Sequence, residues 1–273
     1  MASNRIQHKF AQIKAQQRTG LFLFLTAGFP DLEATEQLIP ALVEAGADGI
    51  EIGVPFSDPL ADGATIQASS FHALRQGVTL KDCVDLVARL RPKIPDTPLV
   101  LMGYYNPIYS FGLQPFCHAA ADAGLDGLIV ADLPAEESDP LLKLCRPLGL
   151  DLIPLLAPTS SDARIAKACR DASGFIYCVS VTGVTGARES LPSQVTDLVA
   201  RVRRHTQLPV AVGFGVSRRE HMDTLASVAD AAIVGSALIR AVQDAPPDRI
   251  VSGAVRFVRE LLGTVPAAIE DVR

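Results

Sequence analysis

Short apolar runs alternate along this chain with longer stretches in which apolar positions recur every three or four residues. The runs Leu21–Thr26, Gly49–Val54, Pro98–Gly103, Gly127–Ala131, Asp151–Leu156, Phe175–Ser180, Pro209–Phe214 and Ala231–Gly235 predict strands. Between them, Leu32–Ala45, Leu80–Leu90, Glu136–Cys145 and Ser161–Ala172 carry the helical period. Eight strands alternating with helices predict an α/β protein, a single (β/α)8 TIM barrel over residues 1–273, in preference to an open doubly wound sheet. Ahead of the first strand, Ile6, Phe10 and Ile13 predict an extra N-terminal helix.

A weak internal echo fits repeated strand–helix units. Ala45-Gly46-Ala47-Asp48-Gly49 precedes the second strand and Ala123-Gly124-Leu125-Asp126-Gly127 the fourth. In each, the first glycine is placed to end a helix and Asp-Gly to turn into the strand. Both lie at strand N-terminal ends, where barrels keep folding determinants rather than chemistry.

One stretch breaks the apolar rule. In Gly49-Ile50-Glu51-Ile52-Gly53-Val54, alternation puts Ile50, Ile52 and Val54 on one face and Glu51 between two glycines on the other. In a parallel sheet both faces are covered, so the bulky face packs on helices and Glu51 points into the barrel. A buried carboxylate with no basic neighbour is costly. Glu51 therefore reads either as a structural glutamate satisfied by backbone or hydroxyl, or as a catalytic carboxyl of raised pKa.

Barrel enzymes build their sites on the loops after the strand C-terminal ends. The second such loop, from Pro55 to about Ala64, carries Asp58 and Asp62. The sixth, Val181 to Leu191, has two glycines and two threonines without an apolar anchor, and is expected to be a lid that orders over a ligand. The last two strands end in Gly213-Phe214-Gly215 and Val234-Gly235-Ser236. Glycines there, with a helix starting near Ser236, predict a phosphate site at the corner where barrels commonly bind phosphate.

Composition narrows the chemistry further. The chain has 273 residues, 48% hydrophobic and 20% charged, with net charge −5, which leaves no basic footprint for nucleic acid. The one basic run, Arg201-Val202-Arg203-Arg204, falls late in a predicted helix and is expected to complement its dipole. No apolar stretch is long enough to span a membrane, and residues 1–17 lack the apolar core of a signal peptide. Five scattered cysteines without Cys-x-x-Cys spacing point to a reducing, cytoplasmic setting and away from metal or disulfide frameworks.

The six lysines, Lys9, Lys14, Lys81, Lys93, Lys143 and Lys167, fall in predicted helices or loops, so a Schiff-base aldolase lacks its nucleophile. The histidines are spread through helices, which disfavours a zinc-dependent aldolase, and no Gly-x-Ser-x-Gly motif occurs. Acid–base chemistry on a phosphorylated substrate remains, with Glu51 and Asp62 the carboxylates placed for it.

The stretch Ile50-Glu51-Ile52-Gly53-Val54-Pro55-Phe56-Ser57-Asp58-Pro59-Leu60-Ala61-Asp62-Gly63 closely resembles the signature of the tryptophan synthase alpha subunit family. Thr26-Ala27-Gly28-Phe29-Pro30, Thr182-Gly183-Val184-Thr185-Gly186 and Gly213-Phe214-Gly215 resemble further family motifs, and the likeness runs from about Arg5 to Leu262. Val181 and Leu23 stand where some members have arginine and proline.

The resemblance implies retro-aldol cleavage of indole-3-glycerol phosphate to indole and glyceraldehyde 3-phosphate. It casts Glu51 as the acid that protonates the indole ring and Asp62 as the acceptor of the indole N–H. It implies a Tyr177 hydrogen bond to Glu51 and a Thr185 contact that closes the lid on Asp62. Phosphate contacts carry over to Gly186, Gly215, Gly235 and Ser236 beside Phe214, and indole contacts to Phe24, Ile66, Met102, Tyr104 and Ile129.

No cofactor or metal is expected in this chain. The implied partner is a beta subunit, which uses pyridoxal phosphate (PLP) to join indole to serine, in an alpha-beta-beta-alpha tetramer. Its contact region would include Pro55, Asp58 and Tyr104-Tyr105-Asn106-Pro107. Another barrel enzyme acting on a sugar phosphate, and a chain that mainly activates its partner, are the alternative readings.

Overall fold

The structure, a computed structural model, describes residues 5–180, 193–213 and 215–264. Its strands are β1 (Gly20–Thr26), β2 (Gly49–Gly53), β3 (Leu99–Gly103), β4 (Gly127–Val130), β5 (Asp151–Leu152), β6 (Leu155–Leu156), β7 (Ile176–Val179), β8 (Val210–Gly213) and β9 (Ala231–Val234). They form one sheet in the order β5-β4-β3-β2-β1-β9-β8-β7-β6, and the pairs run parallel.

The two ends of that order, β5 and β6, are consecutive pieces of the stretch expected as a single fifth strand. Pro154, which has no N–H to offer a ladder, falls at the break. Hydrogen bonding continues across it, from Ile153 N–H to Leu128 O at 2.9 Å and from Tyr177 N–H to Pro154 O at 3.1 Å. The sheet thus closes on itself through this stretch, giving the expected (β/α)8 barrel with helices outside it.

Alternation sorts the side chains as the pattern predicts. Leu21, Leu23 and Leu25 of β1, Ile50 and Ile52 of β2, and Leu99 and Leu101 of β3 face outward. There they pack with helix residues such as Leu38, Leu42, Leu86 and Leu90. Phe22, Val100, Ile129, Phe175, Ala211 and Ala231 face inward. Ile6, Phe10 and Ile13 of the N-terminal helix Arg5–Ala15 join this inner cluster. The Phe10 ring stacks on Phe22 at 5.4 Å and meets Phe175 at 5.5 Å. The extra helix therefore plugs the end of the barrel where the strands begin.

The same end carries buried aspartates. Asp48 accepts two bonds from Arg18, at 2.6 and 2.7 Å, and one from the Leu21 N–H at 2.9 Å. Asp126 accepts from Arg5, from Arg91 and from the Leu99 N–H. The sequence echo thus marks carboxylates that tie one strand to the start of its neighbour. Asp230 does the same for the Val210 N–H at 2.7 Å, a third instance the echo did not reveal. Gly46 and Gly124 take positive φ, 117° and 84°, just past the ends of their helices as expected.

Two readings need adjustment. The helix expected over Glu136–Cys145 begins at Asp139, with Pro140 in its first turn. The basic run does end the helix Ser193–Arg203, but two of its arginines also tie neighbouring elements together. Arg201 pairs with Asp162 and donates to the carbonyls of Pro158 and Ser160, while Arg203 pairs with Asp230.

No described helix is long and apolar enough to cross a membrane. All five cysteines are free and buried.

If Phe10 seals the barrel, Phe10→Ala should lower unfolding stability by about 3–5 kcal/mol, read as an earlier urea midpoint. A loss below about 1 kcal/mol would show that the helix is dispensable packing.

Candidate active site

Glu51 lies on the inner face of β2, between Phe24 of β1 and Val100 of β3 in the strand register. The flanking glycines have a steric cause. A Cβ on Gly49 would come within 2.2 Å of the Phe22 ring, and one on Gly53 within 2.4 Å of the Phe24 ring. Two phenylalanines from β1 therefore cross over β2 and leave room for one long side chain between them. That side chain is 2% exposed, and neither carboxyl oxygen has a hydrogen-bond partner among the described residues.

Burial pushes the Glu51 pKa up to about 8, and the nearby charge of Asp62 adds to the shift. Among the described residues, no backbone group or hydroxyl satisfies the carboxyl in the way the structural reading requires. The Tyr177–Glu51 hydrogen bond implied by the resemblance is not formed either. Tyr177 faces inward as expected, but its hydroxyl is turned against Gly213, within 2.6 Å of where a Cβ there would sit.

Asp62 approaches from the loop after β2. Burial raises its pKa to about 6, opposed by a hydrogen bond from the Tyr104 side chain. At neutral pH the two carboxyls therefore divide into a neutral Glu51 and a charged Asp62, the separation that lets one site hold an acid and an acceptor.

The loop is tied at several points. The Phe56 N–H donates to Ser70 Oγ at 2.9 Å, Ala61 N–H to the Tyr104 hydroxyl at 3.0 Å, and Gln67 Nε2 to Asp62 O at 2.9 Å. Phe56 stacks on Tyr104 with centroids 4.9 Å apart.

Phe24, Ile66, Met102, Tyr104 and Asp62 line one cavity together with Thr26, Gly53, Val54, Ser70 and Gly103. Glu51 sits one inward position below Gly53, beneath this cavity. Ile129 is not brought to its wall, being 1% exposed in the inner cluster with Phe22 and Phe175. Thr26 falls in one of the motifs that resemble the family, whereas Ser69 and Ser70 stand out by nothing in the sequence. The Thr26 and Ser69 hydroxyls are 2.6 Å apart, joining β1 to the helix Ala64–Arg75. Short hydroxyl residues leave no periodic signal; Ser70 is revealed by its place on the cavity wall and Ser69 by its contact with Thr26.

Gly235 precedes the helix Ser236–Asp244, whose start falls where expected, and a Cβ on Gly235 would lie 3.3 Å from Phe24. The first N–H groups of that helix have no partner within it, so an anion-binding end adjoins the cavity. Gly215, after β8, takes φ +45°. Thr185, Gly186, Phe214 and the lid expected over Val181–Leu191 lie outside the described residues.

Residues 10–261 match the sequence model of the family described as Tryptophan synthase alpha chain. The chain belongs to the tryptophan synthase alpha chain family. A tryptophan synthase alpha chain from Chloroflexus aurantiacus is 51% identical over 262 residues, 96% of this chain and 98% of that one. The crystal structure of the alpha chain from Legionella pneumophila matches at TM-score 0.87 and 32% identity, covering 96% of this chain and 97% of that one. A chain of the tryptophan synthase a2b2 complex from Pyrococcus furiosus matches at TM-score 0.84 and 41% identity, covering 89% and 98%.

The contact region implied by the resemblance is only partly exposed in this chain. Tyr104 is turned inward at 4% exposure and Pro55 is buried, whereas Asp58 is open and Leu60 is 93% exposed. Residues Tyr105–Phe111 form a helix rather than a loop, and its exposed aromatics are Tyr109 and Phe111.

The Glu51 pKa has a consequence for stability. The folded chain holds this proton more tightly than the unfolded chain, so its contribution is complete below about pH 4.5 and is lost as pH rises toward about 8. Relative to the parent, Glu51→Gln should therefore gain about 2–4 kcal/mol between about pH 5 and 8, read by urea unfolding. A stability difference that stays constant over that range would mean the carboxyl is already charged.

Proposed function

We propose that this chain cleaves indole-3-glycerol phosphate to indole and glyceraldehyde 3-phosphate, with Glu51 as the acid and Asp62 as the electrostatic partner. Members of the family are lyases that act on this substrate. The observation that carries the reading is the pair of unequal carboxyls at the cavity, one buried without a hydrogen-bond partner among the described residues and the other half-buried and charged.

The bond to be broken joins C3 of an aromatic ring to a carbon bearing a hydroxyl. It cannot break heterolytically until the ring can accept the bonding pair. A proton delivered to C3 by Glu51 makes the ring cationic and places that acceptor next to the bond. The positive charge spreads to the ring nitrogen, whose N–H then donates more strongly to the Asp62 carboxylate. As the bond breaks, its pair restores the aromatic indole, the hydroxyl oxygen becomes the aldehyde oxygen, and the hydroxyl proton leaves. Glu51, now a carboxylate, is the base beside it. No step calls on a metal or cofactor in this chain.

The glycerol phosphate end is assigned to the corner formed by Gly215, Gly235 and Ser236, where backbone N–H groups and the helix start favour an anion. The ring end is assigned to the cavity walled by Phe24, Ile66, Met102 and Tyr104. A beta subunit is the partner, with PLP in that subunit, and exposed Leu60, Tyr109 and Phe111 supply the apolar surface for docking. Five free buried thiols suit a cytoplasmic setting.

Indole release from indole-3-glycerol phosphate, with and without a beta subunit, tests the assignment. Glu51→Gln should fold and bind substrate yet lose at least about 10²–10³ in kcat, and Asp62→Asn should lose kcat far more than phosphate affinity. Near-normal indole release by Glu51→Gln would remove the assigned acid. In the parent, kcat/KM should rise as Asp62 ionises near pH 6 and fall as Glu51 loses its proton near pH 8. A flat profile across that range would contradict the division of roles.

A further inference from the structure

We infer that Tyr104 is a positioning residue for the cleavage reaction: its single hydroxyl holds two consecutive loop residues, Ala61 and Asp62, and so fixes the Asp62 carboxylate at the cavity. The inference rests on the assignment of Asp62 to the indole N–H. It differs from the expectation for Tyr104, which was an apolar wall of the indole pocket.

The geometry supports this from both sides. The Ala61 N–H donates to the Tyr104 oxygen at 3.0 Å. A phenol has one proton, and with a lone pair engaged by Ala61 that proton can be given to the neighbouring carboxylate. The Tyr104 and Asp62 side chains line the same cavity, where the phenol acts on Asp62 as a donor that favours its ionised form.

Tyr104 is itself immobilised. It follows β3 directly, is 4% exposed, and stacks on Phe56, which Ser70 holds by its N–H. The backbone is pinned just before it, where Val54 N–H donates to Met102 O at 2.8 Å. It is pinned again just after, where Tyr105 N–H donates to Asp132 Oδ1 at 2.7 Å. The loop's own ties reach only the backbone of Asp62, through Pro59 O and Gln67.

Among the described residues, Glu51 on β2 and Tyr177 on β7 interact with Asp62 electrostatically, Tyr104 lies just after β3, and Asp132 beyond it acts on Tyr104. Of these, Tyr104 gives a hydrogen bond that favours the charged carboxyl. Removing that donor raises the pH at which Asp62 ionises, while Glu51 still sets the basic limit.

The test uses Tyr104→Phe, Asp62→Asn and the double variant in complex with a beta subunit, measuring kcat and KM for indole-3-glycerol phosphate against pH. Tyr104→Phe should lower kcat about tenfold near pH 6.5 and less near pH 8, with the acid limb moved upward. KM should change by less than about threefold because the ring remains. The double variant should be no worse than Asp62→Asn within about twofold, because both changes act through one group. If Tyr104→Phe folds poorly, Phe56→Leu, which removes the stack beneath the hydroxyl, should show the same upward shift in weaker form.

A pH-independent loss, or losses that multiply in the double variant, would overturn the role of Tyr104. Full activity in Asp62→Asn would instead remove the assignment on which it rests.

Discussion

Water is kept from the Glu51 carboxyl by two phenylalanine rings of β1 and by a barrel sealed at its far end. Sequence, local geometry and chemistry meet in that exclusion. Phe22 and Phe24 cross over β2, so only glycine fits at positions 49 and 53, and the side chain between them is left without a hydrogen-bond partner among the described residues. An ionised carboxylate in such a place costs several kcal/mol. The group keeps its proton instead, and a proton retained at neutral pH is what a weak carbon base such as an indole ring needs from its donor.

The rest of the barrel supports that arrangement from two ends. At the strand N-termini, the helix Arg5–Ala15 fills the opening with Ile6, Phe10 and Ile13. The Asp48, Asp126 and Asp230 carboxylates lock neighbouring strands there. At the strand C-termini, the Asp62 loop is held by Tyr104, Ser70 and Gln67, so the charged carboxyl stays near the neutral one without pairing with it. Rigidity is concentrated at one mouth and chemistry at the other, as expected of a closed parallel barrel.

Much of this was legible in the chain. The alternation of Ile50, Glu51 and Ile52 fixed which way the carboxyl points, because parallel strands are covered on both faces. The strand count and the plug helix followed from periodicity. The interruption at Pro154 was visible as a residue, but sequence alone did not tell that hydrogen bonding continues on either side of it.

Less legible were relations that depend on distance rather than order. The resemblance casts Tyr104 as a pocket wall, and an aromatic at a strand end looks the same whether its ring or its hydroxyl does the work. The Tyr177 hydroxyl was expected on Glu51 but turns to the space left by Gly213. Ser69 and Ser70 give no signal, since isolated hydroxyls carry no period. The Asp-Gly echo predicts only a turn, although its aspartates also make a long-range tie to the start of a neighbouring strand.

The central claim concerns one proton. Carbon-13 NMR of the side-chain carboxyl of Glu51, assigned by its loss in Glu51→Gln, follows that proton directly through a pH titration. The account predicts the chemical shift of a neutral carboxylic acid at pH 7, with a midpoint near 8. A carboxylate already ionised at pH 6, with a midpoint near that of an ordinary solvated glutamate, would contradict it.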